Sequence, residues 1–225
     1  MEKYYKAYDK RYKQVHEKNL SWSSDNNTKL VYEIIKKYRI NKDDAILEIG
    51  CGEGRDAKFL LKQGYNILAT DVSVEAIKFC KLKDSNNRDN YLILDVLNNN
   101  EYLQKFDFIY SIACVHMFTE VNDRNKYYKF IKEHLKDNGI ALILSMGDGN
   151  KEVVTNPNDA WKDSERIHQE TGKKLMIAST SCKIVSFKTW FDELEKNNLI
   201  VTEHGITQIV PDFPEIMYVV IKKWK

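Results

Sequence analysis

Five short apolar runs, at residues 45–49, 67–69, 91–94, 106–112 and 140–144, are rich in isoleucine and leucine and separated by stretches of different periodicity. Runs of this length and composition are strands buried on both faces. Residues 56–62, 74–82 and 123–135 carry apolar side chains at spacings of three and four, the pattern of amphipathic helices. Strand and helix in alternation specify an α/β domain with a mainly parallel sheet, because parallel neighbours need a crossover between them. Between Asp95 and Phe106 there is room only for a short helix or loop, so that crossover is abbreviated. Polar punctuation such as Asn26-Asn27, Asn86-Asn87 and Asn98-Asn99-Asn100 marks loops rather than linkers. With 225 residues and 43% hydrophobic content, the chain has enough apolar surface for one sizeable core.

The pattern changes after Gly139. Residues 147–186 are polar and nearly aperiodic, a length unusual for a connection inside a compact domain and typical of a functional or mobile segment. Residues 187–196 read as a helix. Two β-like runs follow, 199–210 and 215–224, joined through Pro211 to Pro214, where a chain reversal gives an antiparallel edge pair. Before the core, Tyr4, Tyr5, Tyr8 and Tyr12 fall at helical spacings, with Tyr5, Tyr8 and Tyr12 on one face. The predicted organisation is therefore a single domain of three layers around a seven-stranded, mainly parallel sheet with an antiparallel C-terminal strand. Residues 1–40 form an N-terminal helical cover, and residues 150–186 a lid inserted late in the fold.

Charge narrows the partners. Thirty-five basic side chains against 33 acidic ones leave a net charge of +2, with the basic residues scattered and no stripe for a nucleic acid. No apolar run is long enough to cross a bilayer, and the charged first residues do not resemble a secretory signal, so a cytoplasmic, non-membrane location is expected. Cys51, Cys80, Cys114 and Cys182 are widely spaced without a Cys-x-x-Cys pair, which suggests reduced thiols and no metal site. No feature specifies an oligomeric state.

The chemical signal lies where the first strand ends, at Glu48, Gly50, Cys51, Gly52 and Gly54. Glycines there let the backbone turn tightly and approach a ligand, and the helix that follows presents free amide groups to it. A dinucleotide fold needs Gly-x-Gly-x-x-Gly, but counting from Gly50 puts Arg55 at the third glycine position. The spacing is instead Glu-x-Gly-x-Gly-x-Gly.

This motif resembles the first motif of the class I, Rossmann-like S-adenosylmethionine-dependent methyltransferases, and the resemblance continues in the family's order over residues 45–145. Asp71 closes the second strand, where those enzymes place an acid on the ribose hydroxyls, with Val72 beside it. Asp95 and Val96 end the third strand, where the family often has an acid and an apolar residue at the adenine. Residues 106–111, ending at Ser111, resemble the fourth-strand motif, and residues 135–143 the passage from helix to fifth strand. The resemblance implies binding of S-adenosylmethionine and its product S-adenosylhomocysteine by Glu48, Gly50, Cys51, Gly52, Gly54, Asp71, Val72, Asp95, Val96 and Ser111. It implies transfer of a methyl group.

His116 follows the fourth strand, at the carboxyl edge where α/β sheets bind ligands, and many family members border the transferable methyl there. A neutral imidazole at that place accepts a proton from an attacking nucleophile; the alternative is a histidine bonded to a loop carbonyl. Tyr8 and Trp22 are the candidates for contact with the acceptor, whether as an aromatic wall or as packing of a terminal helix. Asp71 and Asp95 have an alternative as helix caps. A nicotinamide dehydrogenase shares the sheet but not the glycine spacing. A non-catalytic module binding the same cofactor, and a methyltransferase acting on tRNA or protein, stay open beside the expected small-molecule acceptor, which the near-neutral charge favours.

Overall fold

A computed structural model describes residues 3–98, 104–210, 213 and 215–224. Asn99 and Asn100 of the asparagine run, and Pro211 and Pro214 of the expected reversal, lie outside them. A 3-10 turn at Tyr4–Lys6 runs into α1, Ala7–His16, and α2 follows at Lys29–Lys37. Strand and helix then alternate through β1 (Ile46–Ile49), α3 (Arg55–Lys62), β2 (Ile67–Asp71), α4 (Val74–Lys83) and β3 (Tyr91–Ile93). β4 (Phe106–Ile112), α5 (Val121–His134) and β5 (Leu135–Ser145) complete the repeating part. After the short strands β6 (Val153–Val154), β7 (Asp163–Ile167), β8 (Lys174–Ala178) and β9 (Lys183–Ile184) come α6 (Phe187–Lys196), β10 (Leu199–Thr207) and β11 (Ile216–Lys223).

Seven strands make one sheet in the order β10-β11-β5-β4-β1-β2-β3. β1 to β5 pair in parallel, and β11 is antiparallel to both β5 and β10. The C-terminal strand thus enters between β5 and the outermost strand, and the expected antiparallel pair is present. Chain order reverses between β1 and β4, which opens a crevice at their carboxyl ends.

Alternation along the strands divides two cores. Leu47, Ile49, Ile109 and Ile143 join Tyr127, Ile131, Trp190 and Leu194 on one side, from α5 and α6. Ile46, Phe108, Tyr110 and Leu142 join Ile34, Leu60 and Ile77 on the other, from α2, α3 and α4. Glu48 takes its place on the second face, in register with Tyr110 on β4 and Ala69 on β2. The buried Arg124 of α5 donates to Val115 O, Tyr128 Oη and the Glu193 carboxylate, fastening α6 to the turn after β4.

Residues 147–186, irregular by their sequence pattern, hold the ribbons β6–β9 and β7–β8. Their periodicity is hidden because β6 and β7 are almost wholly exposed, and because in β8 the exposed residue between buried Leu175 and Ile177 is the apolar Met176. Val15 of α1 packs on Leu175 and Ile177, with Leu20 and Trp22 against them. Backbone edges join the same parts, since Arg11 Nε donates to Ala178 O at 2.9 Å and Ala178 N to Gln14 Oε1 at 2.7 Å. His168 Nε2 meets Ser21 O at 2.6 Å, so it carries the proton.

Candidate functional site

β1 ends in a turn that only small residues can make. Gly50, Gly52 and Gly54 have φ of +73°, +55° and +78°, in the left-handed region. Gly50 N and Cys51 N both donate to Thr70 O, at 2.8 and 2.9 Å, so the turn is pinned to β2. A Cβ on Gly52 would lie 2.6 Å from the Tyr12 hydroxyl, which shows how closely α1 is laid over the turn.

Above this turn is a cavity of about 300 Å³. Its floor includes Glu48, Gly50, Cys51, Gly52, Asp71 and Val72, and Asp95 and Val96 line it from the end of β3. Its roof includes Tyr5, Tyr8, Tyr12 and Trp22, and the insertion reaches it through Gln169. The crevice at the β1 and β4 ends is thereby closed by segments from outside the repeating α/β part.

The acids along the floor are in different states. Glu48 is buried, and Oε2 has no hydrogen-bond partner among the described residues. Burial, then the nearby Asp56 carboxylate, pushes its carboxyl well above the usual range. Asp71 Oδ2 accepts from Gly52 N and Oδ1 from Ser73 N, both at 2.8 Å. Burial raises its pKa against these two amides. A carboxylate has about four lone-pair sites, so two remain for a diol. Asp95 accepts from Tyr5 Oη at 3.1 Å and pairs with Lys6 Nζ at 3.0 Å, which joins the end of β3 to the N-terminal turn.

His116 lies behind the cavity wall rather than in the lining. Ala113 has φ of +53° and leads into a 3-10 turn at Val115–Met117. Residues three apart eclipse in such a turn. Cys114 and Met117 accordingly line the cavity, whereas His116 is 3% exposed and outside its lining. Met146 N approaches His116 Nδ1 at 3.4 Å, and burial, with Arg124 nearby, lowers the histidine pKa to about 3. The ring is enclosed behind Cys114 and Met117 and is held neutral by its burial. Ser111 is also fully buried and outside the lining, since strand alternation turns Ile112 to the cavity. Gly54 caps α3 beneath it, where a Cβ would meet Cys80 Sγ at 2.8 Å.

Two further features were not legible in the sequence. Glu53, between Gly52 and Gly54, occupies an unspecified position of the glycine motif. It is an acceptor for Trp22 N, Ser23 N and Ser23 Oγ at 2.7–2.8 Å and for the His16 ring. Three of the four cysteines, widely spaced in the chain, meet at the same turn: Cys51 belongs to it, Cys80 Sγ donates to Gly52 O at 3.3 Å, and Cys114 lies over Gly50. All four remain free thiols. Where an aromatic wall for a cationic acceptor was one reading of Tyr8 and Trp22, the cation over both rings is the chain's own Arg11, at 4.8 and 4.9 Å.

Residues 47–141 match the family model described as a methyltransferase domain. The chain is 28% identical over 127 residues to the ubiquinone biosynthesis O-methyltransferase of Rickettsia typhi, covering 54% of this chain and 50% of that protein. It therefore spans about half the length of that curated relative. Among solved structures, it superposes on an S-adenosylmethionine-dependent methyltransferase from Clostridium acetobutylicum with a TM-score of 0.67 at 16% identity, over 95% of this chain and 96% of that one. The glycopeptide N-methyltransferase MtfA, complexed with S-adenosylmethionine, gives 0.64 at 14% identity, over 88% and 87%. The chain has the Rossmann-like fold of the class I S-adenosylmethionine-dependent methyltransferases. Among the described residues no helix is long and apolar enough to cross a membrane.

Proposed function

We propose that this chain is an S-adenosylmethionine-dependent methyltransferase that acts in the cytoplasm on a small-molecule acceptor. The single observation that carries the reading is the cavity floor, where an orphaned buried carboxylate, a left-handed glycine turn and an acid with spare acceptor sites lie in one row. Glu48 Oε2 lacks a partner, and a cationic ammonium or sulfonium is the partner its position suits. Asp71 is suited to the ribose diol, and Asp95 and Val96 to the adenine end. Gly50 and Gly52 leave room for the amino-acid part between them.

When bound, S-adenosylmethionine supplies an electrophilic methyl group on a sulfonium whose leaving group is a neutral thioether. The chain's residues contribute position and dryness rather than strong acid-base chemistry. Tyr8, Tyr12 and Trp22 exclude water from above, and Met117 and Cys114 shape the wall beside the Gly50 turn. Among the described residues no histidine lines the cavity, so the acceptor brings its own nucleophilic lone pair forward without a neutral-range base from the lining. The relatives include an O-methyltransferase and an N-methyltransferase, so the acceptor belongs to the covering segments and not to the shared floor. In this reading residues 1–40 are the cover and 150–186 the lid of one domain.

Calorimetric titration with S-adenosylmethionine and S-adenosylhomocysteine tests the floor. Both are expected to bind; no heat and no thermal shift at millimolar ligand would reject the reading. A panel of small acceptors with methyl-labelled cofactor then tests the acceptor class. Label found only in added tRNA or protein would overturn the small-molecule part.

A further inference from the structure

His16, the last residue of α1, stands with both ring nitrogens on carboxylates. Nε2 is 2.8 Å from Glu53 Oε1, and Nδ1 is 3.0 Å from Glu75 Oε1. The ring stacks on Phe79 of α4, with centroids 4.4 Å apart and planes 17° from parallel. Glu53 belongs to the glycine turn and its side chain is 3% exposed; Glu75 is in the first turn of α4 and is 23% exposed. One imidazole thus ties the end of α1 to the glycine turn of the cavity floor and to the first turn of α4, which follows β2.

We propose that the doubly bonded His16 imidazolium is the positioning group that fastens the aromatic face of α1 over the cavity, so that cofactor affinity depends on its protonation. The inference rests on the methyltransferase reading of the same cavity. Only the protonated ring has two N–H donors; the neutral ring must turn a lone pair toward one of the two carboxylates. Glu53 keeps its hydrogen bond to the ring, because it is also the acceptor for Trp22 N, Ser23 N and Ser23 Oγ and is therefore held ionised in place. The hydrogen bond that breaks is the one to Glu75, whose partly exposed side chain is able to turn to water.

The surrounding charges agree with this division. On α1, Asp9 accepts from Ser73 Oγ and Glu75 N, holding the start of α4, and Lys13 and the Tyr12 phenol lie on the His16 side of the same helix. On α4, Lys83 lies 5.4 Å from the Phe79 ring centre. On the glycine turn, Glu53 faces His16 directly. Burial by itself lowers the His16 pKa, but hydrogen bonds to Glu53 and Glu75, and then their charges, outweigh it and raise the value. For Glu53, burial raises the pKa and the His16, Ser23 and Trp22 donors overcome it, so the net shift is downward. The closed form therefore holds the His16 proton more tightly than an open form near the ordinary value of about 6.5. The His16 contribution to closure is complete below that value and is lost as pH rises through the raised one.

The test uses the full chain with S-adenosylhomocysteine as the probe, titrated calorimetrically between pH 6 and 8.5 for wild type, His16→Gln and Glu75→Gln. Dividing wild-type affinities by those of His16→Gln removes the ligand's own ionisation. That ratio is expected to be above one at low pH and to fall toward one as pH rises through the His16 pKa, which the hydrogen bonds to Glu53 and Glu75 raise. Glu75→Gln should flatten the wild-type profile in the same way. NMR titration of the His16 ring in the unsubstituted chain should give a higher pKa with the probe bound than without it, a readout that does not depend on any variant folding. Parallel pH profiles, or a His16 pKa unmoved by the probe while binding is intact, overturn the clamp alone. Absence of probe binding at every pH overturns the methyltransferase reading, and the clamp with it.

Discussion

Gly52→Ala isolates the approach of α1 to the glycine turn. Two costs add at this position. An alanine at φ of +55° pays the left-handed penalty of about 1–2 kcal/mol. Its Cβ also lies 2.6 Å from Tyr12 Oη, closer than non-bonded atoms tolerate, and Tyr12 is buried, so the helix or the turn must move. Overpacking of a buried site costs about 1–3 kcal/mol, which brings the total to roughly 2–5 kcal/mol. The next Tyr12 atom, Cζ, is 3.6 Å from the same point, an ordinary van der Waals distance. Removing the hydroxyl in Tyr12→Phe therefore relieves the steric part and leaves the backbone part. The double variant is expected to recover about 1–3 kcal/mol relative to Gly52→Ala, as a coupling energy between residues that touch. Urea unfolding measures the stability terms, and calorimetry with S-adenosylhomocysteine measures whether affinity recovers in parallel. If Gly52→Ala and the double variant are equally stable and bind equally, Tyr12 is not laid on the turn and the closed roof is wrong.

Asp71→Ala should weaken S-adenosylhomocysteine binding by about 1–3 kcal/mol, the scale for losing a charged hydrogen-bond partner, and an unchanged dissociation constant would remove Asp71 from the ribose. His116→Asn should leave cofactor affinity nearly intact and add no loss of a neutral limb to any pH–rate profile. Its effect lies in stability: the folded-state pKa of about 3 is below the unfolded value, so wild type loses about 1.4 kcal/mol per pH unit from this group as pH falls from about 6.5 toward 3. Acid unfolding curves of wild type and His116→Asn that run parallel through that window would contradict the buried neutral ring. Hydrogen exchange in residues 4–22 and 163–178 should slow when S-adenosylhomocysteine binds, while β1 and β4 are already protected; equal exchange with and without the ligand would reduce the cover to surface packing.

The roof is built from two segments that are far apart in the chain. Tyr8 and Trp22 are held by Arg11, and Arg11 by the Ala178 carbonyl of β8, so the N-terminal helix and the insertion form one unit over the cavity.

Local spacing was enough for the alternating strands and helices, the glycine turn after β1 and the acids at the ends of β2 and β3, because each depends on periodicity or on a backbone conformation within a few residues. The aromatic face of Tyr5, Tyr8 and Tyr12 was visible for the same reason, as a helical spacing. Tertiary structure alone decided which of these groups meet. His116 sits in the expected stretch, but the 3-10 turn after Ala113 puts Cys114 and Met117 on the cavity and turns His116 away from it. Glu53 lies inside the most informative motif of the chain, yet its spacing gives no sign of its role, because its partners are His16, Trp22 and Ser23, about 30 residues and more away. The ribbons of residues 147–186 stayed hidden because β6 and β7 bury almost nothing, and β8, which packs on α1, carries apolar Met176 on its exposed face, so polar and apolar residues do not alternate. A pairing is readable along the chain when its cause is local; where the cause is the approach of distant segments, only the folded arrangement supplies it.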